Sequence, residues 1–323
     1  MKVGVIAGIN YPWTVFQGKP NYGCDFGWNK WNSHTGVTAH AGDVLADFQS
    51  MATAGIEVAR WFVFTDGRGG VAWNSSGELS GFADRFFDDM DAALDVAAST
   101  NVRLCLVLVD FAWVDDAVRR AALDSGAFIE RALDPFLDRY GSHPAIHSLD
   151  IINEPDWVTE GLATNPKRGV WPLDALRTFV RACADRIHEQ SSALVTLGGG
   201  QVKFAREWDD PAYGLDIVQI HSYPDVRYQH RDESVFARTA ADFNLTKPLL
   251  IGECPHDPRA HPADHLSPAY SLEDYLRLAR GGGYLGAWPW SFKGVDAFGA
   301  PRLAAFREDR AAFRQSPTET GNS

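Results

Sequence analysis

Eight times along this chain a short apolar run gives way to a stretch of helical periodicity, at about 35 to 50 residues per unit. Strands that alternate with helices pair in parallel through right-handed crossovers, and eight such units close an α/β fold of the (β/α)8, or TIM barrel, kind. The predicted strands are Val3 to Asn10, Ile56 to Phe64, Val102 to Val109, Ile146 to Asn153, Ala193 to Leu197, Leu215 to His221, Leu249 to Gly252 and Tyr284 to Trp288. Helical patterns run over Asp43 to Ala54, Asp84 to Ser99, Phe128 to Tyr140 with a break at Pro135, and Leu173 to Gln190. Further ones cover Gln201 to Trp208, Glu233 to Phe243, Ser271 to Arg280 and Ala304 to Phe313. A single domain over residues 1–315 is expected, with a small, polar, disordered tail at 316–323. A doubly wound open sheet is the competing fold, but no Gly-rich phosphate turn follows the first strand.

In such a barrel the strand C-termini open on one face, where chemistry collects. Chemically conspicuous residues fall at or near those ends: Arg60, Asp110, Asn153, Glu154, His221, Tyr223, Glu253, Trp288 and Trp290. Arg60 lies inside an otherwise apolar strand and needs a partner, because an unpaired buried charge costs several kcal/mol, roughly. Two apolar runs stop at a glutamate. Ile151-Ile152-Asn153-Glu154-Pro155 ends the fourth strand, and Pro248-Leu249-Leu250-Ile251-Gly252-Glu253-Cys254-Pro255 ends the seventh. These strands lie on opposite sides of an eight-stranded barrel, so the two side chains reach toward each other across the mouth. Paired carboxylates suit glycosidic bond cleavage, one protonating the leaving oxygen and the other facing the anomeric carbon, about 5 to 5.5 Å apart in retaining enzymes.

Composition narrows the partners. Net charge is −12, which repels nucleic acid, and no run of about 18 apolar residues predicts a membrane span. The 11 tryptophans include several in polar, Gly-rich stretches, namely Trp13, Trp28, Trp31, Trp73, Trp157 and Trp171, and aromatic faces in loops suit ring-shaped ligands. Cys24, Cys105, Cys183 and Cys254 are scattered without metal spacing, so free thiols and no metal or cofactor are expected. The chain enters its first strand at once, without the pattern of a secretory leader. A cytoplasmic protein is expected as the chain stands, or a secreted one if a leader had been removed; a monomer is expected.

Ile152-Asn153-Glu154-Pro155 and Ile251-Gly252-Glu253 resemble the signatures of the retaining glycoside hydrolases of clan A, with most likeness to family 5, the cellulase and β-mannanase family. The resemblance runs from Gly8-Ile9-Asn10-Tyr11-Pro12-Trp13 to Trp290-Ser291-Phe292-Lys293. It implies that Glu154 is the general acid/base and Glu253 the nucleophile, with Asn153 bonding the substrate 2-hydroxyl. It further implies that Arg60 holds Glu253 ionised, Tyr223 donates to Glu253, His221 lies in the network beside Glu154, and Trp290 floors the sugar subsite. Trp288, Asp110 and Trp157 are the remaining candidates for substrate binding. Many family members end strand three with a histidine, where this chain reads Leu108-Val109-Asp110-Phe111-Ala112-Trp113; that stretch and Arg60-Trp61-Phe62-Val63-Phe64-Thr65-Asp66-Gly67 are similar to β-mannanases. Open alternatives are a barrel that binds carbohydrate without cleaving it, and an exo-acting β-glycosidase on small oligosaccharides. An aldolase-like or phosphate-handling barrel would want a strand-end lysine and a late phosphate loop, and Gly281-Gly282-Gly283 precedes strand eight, on the wrong face.

Overall fold

The computed structural model of the chain describes residues 4–223, 235–256, 270–295 and 299–315. Eight parallel strands form one sheet in chain order: β1 Gly8–Asn10, β2 Val58–Phe62, β3 Arg103–Asp110, β4 Ile146–Asn153, β5 Leu194–Gly199, β6 Val218–His221, β7 Leu249–Cys254 and β8 Ala287–Pro289. The sheet curls until its edges meet, the Ile6 amide donating to Leu285 O at 2.7 Å just before β1 and β8 begin. β3 and β4 are long and buried along almost all of their length, as continuous apolar runs covered on both faces require.

The outer helices include α1 Ala41–Ala54, α2 Phe86–Thr100, α3 Asp134–Tyr140, α4 Leu173–Gln190, α5 Ala205–Trp208, α6 Leu272–Gly282 and α7 Ala304–Gln315. α6 opens with a capping box of Ser271 and Asp274. Asp43 lies in the first turn of α1, where its charge favours the positive end of the helix dipole; a 3-10 turn, Val37–His40, leads in. Pro135 is accommodated by a π-helical segment, Ile129–Leu133, which hands over to α3 at a place where the missing N–H is not needed. The pattern read over Glu233 to Phe243 begins outside the described residues. Its described part breaks into two 3-10 turns, Val235–Ala237 and Ala240–Phe243, because Thr239 and Asp242 form a new cap between them. Tyr223 is described but Pro224 is not, and the tail from Ser316 lies outside the described residues. The stretch after β2 carries a hairpin, Val71–Trp73 with Leu79–Phe82.

Two hydrophobic clusters hold the molecule. The larger fills the space between strands and helices. The smaller plugs the lower half of the barrel with Val58, Cys105, Ile217, Leu250, Leu285 and Trp288. Trp288 is thereby corrected as a substrate-binding candidate: it is 1% exposed and its indole N–H donates to Ile6 O at 3.2 Å, inside the barrel. The four cysteines are free and buried. No helix among the described residues is long and apolar enough to cross a membrane.

Candidate active site

Above the plug, side chains from β1, β4 and β7 converge on Arg60 of β2. Its guanidinium is fully buried and spends its donors on four partners: Nε to Asp150 Oδ2 at 2.9 Å, Nη1 to Asn10 Oδ1 at 3.0 Å and to Glu253 Oε1 at 2.7 Å, and Nη2 to Asn153 Oδ1 at 2.7 Å. The planar fork of arginine makes this possible, since a lysine ammonium would be a single point charge. Asp150 is itself fixed from the far side by Gln219 Nε2 at 2.7 Å and the Gly198 amide at 3.0 Å.

Glu253 accepts from Arg60 on Oε1 and from Tyr223 OH on Oε2 at 2.8 Å. Glu154 pairs through Oε1 with His221 Nδ1 at 2.8 Å and accepts from Trp157 Nε1 on Oε2 at 2.9 Å. His221 Nδ1 also lies 3.5 Å from Glu253 Oε2, so the imidazole stands between the two carboxyls. One donor atom from each of Glu154, His221 and Glu253 falls within 4.8 Å of the others. Such a triplet has the composition of a metal site, but Arg60 already supplies the positive charge a cation would bring to Glu253.

Strand irregularities aim both glutamates. Opposite β5, β4 gains one residue between Asp150 and Asn153, and β7 gains one opposite β6 between Ile251 and Glu253. An extra residue turns the following side chains, so Asp150 and Asn153 both reach Arg60 despite their odd spacing. Glu154 then takes a left-handed backbone, φ 50°, and ends the strand. Space is made by β5 and the turn after it: a Cβ on Gly198 would stand 2.8 Å from Arg60 Nη2, and one on Gly200 2.6 Å from Trp157 Nε1.

Burial dominates the titration of the site. It pushes the Glu154 carboxyl up to about 7, against the Trp157 hydrogen bond and the charge of Arg60. It also raises Glu253, where His221, Arg60 and Tyr223 pull the other way. Arg60, expected to hold Glu253 ionised, does pull the carboxyl down with its charge, but desolvation outweighs it. Burial lowers His221 to about 4, which keeps its imidazole neutral.

Asn153, at the rim, donates to Asp110 Oδ2 at 2.8 Å, so Asp110 acts through that amide rather than beside the carboxyl pair. Trp290 follows β8 with its ring 5.9 Å from Trp13, which in turn lies 5.2 Å from the half-exposed Tyr22. Trp157 touches Glu154 directly. Trp171 is buried in the outer core, while Trp31 is exposed at the surface. Three buried partners went unread in the sequence. Asn10, Asp150 and Asp156 are fully buried, and Asp150, a charge inside an apolar strand, carried the same signal as Arg60.

No family model matches the chain. Two proteins named mannan endo-1,4-beta-mannosidase are each 24% identical to it: one from Mytilus edulis, over 88% of this chain and 83% of the relative, and one from Cryptopygus antarcticus, over 89% and 80%. Among solved structures, the β-mannanase of Mytilus edulis superposes with TM-score 0.74 at 21% identity, covering 98% of this chain and 93% of that one. The endo-1,4-beta-mannanase of Eisenia fetida superposes with TM-score 0.75 at 22% identity, covering 94% and 90%. Fold and site together define a glycoside hydrolase built on an eight-stranded barrel.

Proposed function

We propose that this chain hydrolyses β-1,4-linked mannan from within the polymer, with net retention at the anomeric carbon. The observation that carries the reading is the carboxyl pair at the ends of β4 and β7, with donor atoms within 4.8 Å across neutral His221. That closeness suits direct attack by one carboxylate better than the wider separation inverting enzymes use to admit a water. The names of the two relatives support mannan as substrate. Cleavage within the chain is supported by aromatic surface on both sides of the pair, Trp290, Trp13 and Tyr22 on one and Trp157 with Phe111 on the other.

Glu253, ionised, attacks the anomeric carbon as the bond to the leaving oxygen breaks, and Glu154 delivers its proton to that oxygen. The product is an α-linked glycosyl ester. Glu154, now ionised, takes a proton from water, whose oxygen displaces Glu253 and restores the β configuration. Arg60 and Tyr223 hold the Glu253 oxygens that must shed and regain charge, and Asn153, on the same guanidinium, presents its amide to the 2-hydroxyl. The polymer is the only partner this chemistry requires.

Replacing either glutamate tests the reading. Glu253→Ala and Glu154→Gln are each expected to lower turnover on β-1,4-mannan oligomers by about 10²- to 10⁴-fold or more, and azide is expected to rescue Glu253→Ala by forming the α-glycosyl azide. Near-normal activity of Glu253→Ala would end the hypothesis.

A further inference from the structure

We propose that Trp157 is a positioning residue for Glu154, one that ties the proton affinity of that carboxyl to the sugar seated on the leaving-group side. The inference rests on the role given to Glu154 above. Trp157 closes the 3-10 turn Pro155–Trp157 that starts directly after Glu154, and its backbone N–H donates back to Glu154 O at 3.2 Å. The indole N–H reaches forward to Glu154 Oε2 at 2.9 Å, through space that Gly200 leaves clear.

The turn is locked from behind. Asp156 is fully buried and accepts from the Gly200 amide and from Gln201 Nε2, both at 2.8 Å, and Gln201 Oε1 in turn accepts from Thr164 Oγ1 at 2.9 Å. On its other side the same indole walls a cavity of about 470 Å³ with Phe111, Thr164, Asn165 and Arg168. Arg168 lies 5.3 Å over the Phe111 ring and pairs with Asp115 at 2.6 Å. One rigid ring thus has its polar edge on the acid and its apolar body on the cavity. A sugar unit packed in that cavity presses the N–H onto Oε2.

Several charged or titratable groups face Glu154: Arg60 from β2, Asp110 from the end of β3, Asp156 from its own turn, His221 from β6, Tyr223 beyond it, and Glu253 from β7. Only His221 and Trp157 touch its carboxyl oxygens among the described residues. The indole N–H can only donate, so it favours the ionised carboxyl, and removing it makes the proton harder to lose.

The test compares kcat/KM against pH for wild type, Trp157→Phe and Gly200→Ala. Substrates are a β-1,4-mannan oligomer and an aryl β-mannoside whose acidic phenol leaves without a proton. With the oligomer, the basic limb of Trp157→Phe is expected to move up by about one pH unit, the size of a hydrogen bond to a charged group. Gly200→Ala, whose Cβ would stand 2.6 Å from the indole nitrogen and 3.1 Å from Glu154 Cγ, parts the two while keeping the tryptophan and is expected to shift it the same way. With the aryl mannoside neither variant moves the profile. A limb that stays at the wild-type position, moves down, or moves equally with both substrates would overturn the proposal while leaving the role of Glu154 intact. Glu154→Gln that retains wild-type rates on the oligomer would remove both.

Discussion

Glu154 sets the upper end of the pH profile. As the acid it must be protonated when the leaving oxygen departs, so with its carboxyl near 7 the value of kcat/KM is expected to fall about tenfold per pH unit above that point. Glu253 must be ionised, and burial places its carboxyl above the ordinary glutamate range, so the acidic limb should sit higher than for an exposed glutamate. A pH series on the oligomer checks both limbs; activity still rising above pH 8 would contradict the first. Arg60 is the residue on which site and stability both hang. Removing it as Arg60→Ala leaves Asp150 and Glu253 buried without a cation, which is expected to cost about 3–5 kcal/mol in a urea titration besides abolishing turnover. At this scale much was legible: a charge inside an apolar strand announced Arg60, and polar strand ends announced Asn153, Glu154, His221 and Glu253. Trp288 misled because a tryptophan at a strand end can point into the barrel as well as out of it, and periodicity on so short a strand does not say which.

At the scale of elements, the long uniform strands β3 and β4 were readable almost to their ends, since continuous apolar runs have no other place to go. The one-residue irregularities in β4 and β7 were not, because an extra residue in a fully buried strand leaves the apolar pattern unchanged. Yet they aim the glutamates. The glycines of β5 and its following turn serve the same end, and Gly198→Ala tests it: its Cβ would stand 2.8 Å from Arg60 Nη2 and 2.9 Å from His221 Nε2. Turnover is expected to drop about 10²-fold through misplacement of the network, with the helical circular dichroism of the fold retained. Wild-type kinetics in that variant would show that the tight approach has slack. Short elements also escaped the sequence reading. The helix Ala117–Asp124 after β3, capped by Asp116, spans about two turns and buries only Ala122 and Leu123, too short a stretch for its pattern to stand out.

For the whole molecule, the buried acids couple stability to pH. Glu154, Asp110 and Asp156 are each raised to about 7 by burial, so the folded state holds protons that the unfolded chain has lost. Their contribution is complete below the unfolded carboxylate range and is lost as pH rises through about 7. His221 and His147 act in the opposite sense: burial lowers both to about 4, so their share is lost as pH falls from the free histidine range toward that value. The net charge of −12 adds self-repulsion at high pH. Thermal stability is therefore expected to be higher near pH 6 than at pH 8, as calorimetry at the two values would show; the reverse order would mean these acids are ionised in the folded protein. The barrel itself was legible because eight repeats of one pattern admit few closures, whereas the identity of the sugar is written in loop side chains that no periodicity constrains.

Trapping the covalent intermediate tests the central claim most directly. The wild-type protein would be incubated with a 2-deoxy-2-fluoro-β-mannosyl substrate bearing a good leaving group, digested, and its peptides weighed. The expected result is one fluoromannosyl unit on the peptide carrying Glu253, attached at that residue. A label on Glu154, or release of the α-anomer from unmodified substrate with no peptide labelled, would contradict the account.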